Sequence, residues 1–264
     1  MGIFRDIPGT RNSTMNIILY GYGFVGKAHF NVLRHNNYIS IIDPQYPNLA
    51  IPEFEAECAV ICVSTPEADS GACDMSNVMN CLETIPSSVP VLIKSTISLE
   101  GWRLQKESHP EHSVNFSPEF LRADSHIEDI QNATIMYLSD ENSDFWISVF
   151  ENVLPNINFI TAEPEELILI KYFKNAFLAS KVSFFNQIYD MCQATGIDYN
   201  AVAEGIAQDE RIGYSHVNIT PERGWGGFCF PKDTRALLHT AKIYDVDLSI
   251  LKEVRAYNTL IRKE

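Results

Sequence analysis

The sequence predicts an α/β fold: a doubly wound, mostly parallel sheet followed by an all-helical domain. Three observations carry this. Short apolar runs alternate with helical segments as far as Thr161. A glycine-rich turn joins the first apolar run to the first helical segment. After Thr161 the alternation stops, and helical periodicity continues to the end of the chain.

Taken in order, NIILY (residues 16–20) is a short apolar run ending in glycines, so it reads as a buried strand. Residues 25–36 have a helical pattern. ISIID (39–43), AVICV (59–63) and VLIK (91–94) are further strands, with a helix over 76–84. Shorter strands follow at 114–116, 133–138 and 157–161, with a helix over 142–152 between the last two. Strands alternating with helices mean crossover connections and a parallel sheet. Pro164 suits the first position of a helix, and the pattern stays helical to Thr195, where Gly196 is a stop. Further helices are expected over 199–207, 231–244 and from 249 onward. The implied layout is a polar leader (1–14), a sheet domain (15–162) and a helical domain (163–264). Asp6 stands where a myristoylation signal needs Ser or Thr, and Met15 is an alternative start.

The chain has 264 residues, 45% of them hydrophobic, enough to bury a substantial core. A net charge of -14 argues against nucleic acid and against membrane surfaces, since both favour a basic footprint. No apolar run is long enough to span a bilayer, so a cytoplasmic protein is expected. The six cysteines form no Cys-x-x-Cys pair and have no paired histidines near them. Most read as small hydrophobes in a reducing compartment, and no metal site is expected.

Two stretches carry chemistry. GYGFVG (residues 21–26) follows the first strand and opens the first helix with G-x-G-x-x-G spacing, and Asp43 ends the second strand 22 residues after Gly21. This is the Rossmann-like dinucleotide signature. Gly21 makes the turn, Gly23 admits a pyrophosphate close to the backbone, and Gly26 lets helix and strand pack closely. The helix N-terminus offers free N–H groups and partial positive charge. Asp43 suits an adenosine ribose and repels a 2′-phosphate, favouring NAD over NADP. The second stretch, GWGGFCFPKD (residues 224–233), surrounds Cys229 with Gly224, Gly226 and Gly227, which spare side-chain bulk near a large substrate. A helix start at Pro231 and the cation of Lys232 would both lower the thiol pKa.

Five further stretches stand in order: VSTPEADSGACDMS, KSTISLEG, SPEFLRAD, LIKYFKNAFLASK and RIG…GWGGFCFPKD. With GYGFVG they resemble the UDP-glucose/GDP-mannose dehydrogenase family, nucleotide-sugar 6-dehydrogenases, from about Met15 onward. The resemblance implies oxidation of a sugar's primary alcohol to a carboxylate with two NAD and one cysteine, UDP-glucose being the expected substrate. It implies that Cys229 is the nucleophile, that Lys171 and Asn175 hold an oxyanion, and that Asp233 orients water with Lys171. Glu119 is then a general base, and Thr96 holds a water or the reacting hydroxyl. Lys171 and Asn175, four apart, share a helix face. Thr65, Phe24, Val25, Thr96 and Lys232 join Gly21, Gly23, Gly26 and Asp43 around the cofactor. Phe120, Leu121, Trp225, Gly226 and Gly227 contact substrate along with Glu119, Lys171 and Asn175. Arg211 reaches the partner's substrate across a homodimer built on the long helix.

The sequence departs from the family in two ways. KSTISLEG lacks the proline and small-residue turn usual after the threonine. The chain ends at Glu264, whereas family members continue into a C-terminal UDP-binding domain. The expectation is a natural short form, a fragment, or one half completed by a separate chain. Two other readings stay open: a 3-hydroxy-acid-type NAD dehydrogenase, which has no need of Cys229, and a truncated, non-catalytic NAD-binding relative.

Overall fold

A computed structural model describes residues 14–263, and the leader expected over 1–14 lies outside the described residues except for Thr14. The chain divides into two compact units. The first comprises residues 14–65 and 74–168, the second residues 66–73 and 169–263.

The first unit is a five-stranded parallel sheet in the order β2-β1-β3-β4-β5. Its strands are β1 (Asn16–Tyr20), β2 (Tyr38–Ile42), β3 (Cys58–Ile61), β4 (Val91–Ile93) and β5 (Val114–Phe116). Strands of such a sheet are covered on both faces, so they read as unbroken apolar runs. Ile17, Leu19, Val60, Ile61, Leu92 and Ile93 are accordingly sealed from solvent. α1 (Phe24–Leu33) lays Ala28, Val32 and Leu33 into the same core, where Trp146, Val149 and Phe150 of α5 (Ser143–Glu151) also pack. β6 (Ile135–Ser139) and β7 (Asn158–Ala162) form a separate parallel pair. Asn115 bonds Ser139 and Ser117 bonds the Tyr137 carbonyl, so β5 and β6 run in opposite senses along this link.

α2 (Ser76–Thr84) lies where the periodicity predicts it. Two helices do not follow from the pattern: α3 (Leu99–Ser108) and α4 (His126–Gln131). α3 buries only Leu99, Gly101, Trp102 and Gln105, too sparse a stripe to register as amphipathic. Its start is nevertheless marked, because Ser98 caps it by accepting from the Gly101 N–H at 3.0 Å.

The second unit takes in most of α6 (Pro164–Thr195), a helix of 32 residues, with α7 (Tyr199–Ala207), α8 (Cys229–Ile243) and α9 (Ser249–Ile261). One small core joins Phe185 and Cys192 of α6 to Tyr199, Ala203 and Ala207 of α7. Another joins Ala179 and Val182 to Trp225, Phe230 and Val254. α8 begins at Cys229, two residues before the expected Pro231. Proline is tolerated there because first-turn N–H groups have no intrahelical acceptor. Among the described residues no helix is long and apolar enough to cross a membrane.

Candidate active site

In the first unit the glycine turn has the geometry its spacing demands. Gly21 sits at φ +84°, a left-handed conformation, and its N–H donates to the Ile42 carbonyl at 3.0 Å. A Cβ on Gly26 would stand 2.0 Å from the Gly21 carbonyl oxygen, so helix and strand meet there with no room for a side chain. A Cβ on Gly23 would meet nothing within 4 Å. Gly23 caps α1 without a side-chain bond, and no acidic residue stands in the first turn, which starts with Phe24 and Val25. The turn is therefore an uncapped helix N-terminus beside open space, which fits a pyrophosphate. Asp43 accepts from the Tyr22 N–H at 2.7 Å and the Gln45 N–H at 2.8 Å, one on each oxygen. Those bonds fix the carboxylate beside the turn and leave each oxygen a lone pair for ribose hydroxyls.

Thr65 is buried and Thr96 half-buried, in the segments after β3 and β4. Glu119 follows β5, with Phe120 edge-on to Tyr137 and Leu121 packed against the main core. Its Oε1 accepts from Lys94 Nζ and lies 2.8 Å from His29 Nε2. Burial alone would raise this carboxyl. Lys94 and His29 overcome it and hold the pKa at about 2. Glu119 is thus a fixed anion in this arrangement and a poor store for a proton, which weakens the expectation of a general base.

In the second unit Lys171, Asn175 and Asp233 are each at least 93% buried, at 7, 7 and 1% exposure. Asn175 Nδ2 donates to Asp233 Oδ2 at 2.6 Å, and Lys232 Nζ donates to Oδ1 at 2.7 Å. Cys229, partly buried, opens α8 beside this group. Here the sequence expectation needs correction. Burial pushes the Cys229 thiol above its ordinary value, and Asp233 adds to the rise. Lys171 and Lys232 pull it down without reversing it. The helix start and neighbouring lysine count for less than expected, because burial outweighs them.

The glycine stretch also differs from its reading. A Cβ on Gly224 would fall 2.2 Å from Asn258 Oδ1, and one on Gly226 would fall 2.4 Å from Arg262 Nη2. Both glycines make room for the chain's own residues, and only Gly227, at φ +75°, faces open space. Trp225 is buried in the core, its indole N–H donating to Ser183 Oγ at 2.9 Å. It packs with Ala179 and Val182 of α6. Arg211 is exposed and paired with Asp209.

A model of the "UDP-glucose/GDP-mannose dehydrogenase family, central domain" matches residues 165–260. A UDP-glucose 6-dehydrogenase from Rhizobium meliloti (strain 1021) is 33% identical over 223 residues, covering 77% of this chain and 50% of that protein. Residues 165–260 belong to the UDP-glucose/GDP-mannose dehydrogenase family as its central domain. A second family relative, the UDP-glucose 6-dehydrogenase of Campylobacter jejuni, is 28% identical over 293 residues, covering 94% of this chain and 73% of its own length. The solved structure of a UDP-glucose dehydrogenase from Pyrobaculum islandicum shares the fold, with a TM-score of 0.83 at 23% identity, over 97% of this chain and 70% of that one. The chain spans about half the length of most of the curated relatives it matches.

Lys94 and His29, which both contact Glu119, were not among the residues expected at the site. Lys94 had a signal: it is a lysine closing a strand that is buried throughout, and a buried cation requires an anion. His29 had only its place on the apolar face of α1.

Proposed function

We propose that the chain carries the NAD-binding and nucleophile-bearing parts of a UDP-glucose 6-dehydrogenase, oxidising the sugar's primary alcohol to the carboxylate. One observation carries this reading: a partly buried thiol at the first residue of α8, under the opposed influence of Lys171, Lys232 and Asp233, with Asn175 locked onto Asp233. Buried charge of this kind is costly and is retained where chemistry needs it.

Gly21, Gly23, Gly26 and Asp43 would hold NAD, with Thr65, Thr96 and Lys232. NAD, when bound, supplies the hydride acceptor, two equivalents for the four-electron change. Loss of a hydride and a hydroxyl proton from the primary alcohol, the first of the two oxidations, would leave an aldehyde; the Cys229 sulfur, once deprotonated, attacks its carbon to form a thiohemiacetal, and Lys171 and Asn175 stabilise the oxyanion. Oxidation of that adduct leaves a thioester on Cys229. Water held by Asp233 and Lys171 attacks the thioester carbonyl, the carbon–sulfur bond breaks, and the sulfur is released as thiolate or takes a proton. Glu119, charged at neutral pH, orients the reacting groups. Phe120, Leu121 and Gly227 stand ready as substrate contacts through their backbone.

A homodimer is part of the proposal. Phe173, Phe177, Phe184 and Met191 are all exposed on α6, and their spacing puts them on one stripe. Arg211, exposed, is the candidate to reach the partner's substrate.

The test is NADH absorbance with UDP-glucose as substrate, using the chain alone and then with any polypeptide supplying a UDP-binding domain. Two NADH per sugar with loss of acid in Cys229→Ser supports the reading. One NADH per sugar, unaffected by Cys229→Ser, supports a 3-hydroxy-acid-type dehydrogenase. NAD binding without turnover in either arrangement leaves a non-catalytic relative.

A further inference from the structure

His29 is completely buried on the inner face of α1, where a leucine would pack without polar cost. Its Nε2 lies 2.8 Å from Glu119 Oε1, and Lys94 Nζ bonds the same oxygen. Lys94 is 2% exposed, donates a further bond to Ser117 Oγ at 2.7 Å, and stands 5.8 Å from the Phe150 ring. The imidazole meets that ring edge-on, at 5.7 Å between centroids. His29 from α1 and Lys94 from just after β4 therefore meet on one carboxylate oxygen, with the Phe150 ring of α5 packed against both. Among the described residues Cys62, which follows β3, also lies in electrostatic reach of Lys94 and Glu119, and burial keeps it a thiol.

The charges close without the imidazole. Lys94 and Glu119 cancel, and burial together with Lys94 keeps His29 neutral. A neutral ring facing a carboxylate donates from Nε2, which leaves Nδ1 with a lone pair, and Nδ1 is buried without a partner. Packing does not account for an orphaned acceptor in the core of a helix face. A second donor on the carboxylate does.

We propose that His29 is a positioning residue which, with Lys94, clamps one oxygen of Glu119 so that the carboxylate is held in a single orientation. The proposal rests on the reading of Glu119 as part of the reacting site. It makes His29 act on turnover and not on substrate binding.

Two variants test it, His29→Leu and His29→Gln, the second keeping an amide donor at similar reach. Turnover with UDP-glucose is expected to fall roughly ten- to a hundredfold in His29→Leu, the scale of a small misplacement of a reacting group, with KM little changed. His29→Gln should restore much of it. The second readout needs no activity: carbon-13 NMR of the Glu119 carboxyl, assigned through Glu119→Asp. Its titration midpoint should rise by about one unit in His29→Leu, because a donor to the charged form is lost. Wild-type turnover in His29→Leu, or loss with no rescue in His29→Gln, overturns the proposal. An unmoved Glu119 midpoint also overturns it. If the wild-type chain never turns over UDP-glucose, the proposed activity fails while the carboxyl titration still decides the clamp.

Discussion

Asn175 and Asp233, 58 residues apart in the chain, share a 2.6 Å hydrogen bond between two buried side chains. Asp233→Ala would leave the Asn175 amide and the Lys232 ammonium without an acceptor. Urea denaturation should show a loss of about 1–3 kcal/mol. With UDP-glucose, the folded variant should accumulate a thioester on Cys229, visible as added mass on the intact protein. A folded variant with no such adduct removes Asp233 from the hydrolysis step.

The Cys229 thiol is raised by burial and by Asp233, and lowered by Lys171 and Lys232. Lys171→Met takes away a cation that favours the thiolate, so the thiol pKa should climb further. Alkylation by iodoacetamide at fixed pH should slow, and its pH midpoint should move up. Native labelling should favour Cys229, since Cys58 and Cys81 are pushed up to about 12 by burial. An alkylation profile identical in the two proteins rules out Lys171 as a partner of the sulfur.

Gly23→Ala and Gly26→Ala separate fold from binding. At Gly26 the new methyl would lie 2.0 Å from the Gly21 carbonyl oxygen, so thermal unfolding should show a loss of about 1–3 kcal/mol or more. At Gly23 the methyl meets nothing within 4 Å, and stability should change by less than about 1 kcal/mol. NAD affinity in Gly23→Ala should nevertheless fall about tenfold or more, worth about 1.4 kcal/mol, by calorimetric titration. Equal NAD affinity in wild type and Gly23→Ala means the open space is not the pyrophosphate seat.

Glu119 has a folded pKa of about 2 against an ordinary 4.5. Its folded value is depressed, so its stabilising contribution is complete above about pH 4.5 and is lost as pH falls toward 2. Glu119→Gln should cost about 3–5 kcal/mol at neutral pH, because Lys94 is left buried without a counter-charge. The gap between the two proteins should close across that acid window. A gap that is constant with pH contradicts the pairing.

Phe177 is 68% exposed in the middle of the α6 stripe. Phe177→Glu should convert a dimer to a monomer in sedimentation velocity while leaving the helical circular dichroism unchanged. A wild-type chain that sediments as a monomer at all concentrations removes the dimer from the proposal.

Much of the fold was legible because it is written in local periodicity. β1, β5, α2, α6 and α7 span the residues that their patterns indicate. α3 and α4 were not legible, being short or sparsely apolar. The glycine turn was legible because backbone geometry restricts residue type at each position. The state of Cys229 was not, because neighbours in sequence gave one sign and burial gave the other. Nor was the burial of Trp225, which depends on Ser183 and Asn258, both distant from it in the chain.

The sequence by itself determined where strands give way to helices, the spacing of Gly21, Gly23, Gly26 and Asp43, and which side chains are chemically able to react. Those are properties of short stretches, set by hydrophobic repeat and backbone sterics. Only the tertiary structure decided that His29, Lys94 and Glu119 close on one oxygen, that Lys232 pairs with Asp233, and that burial governs the thiol. Such pairings depend on distance in space and on the removal of water, and neither is fixed by position along the chain.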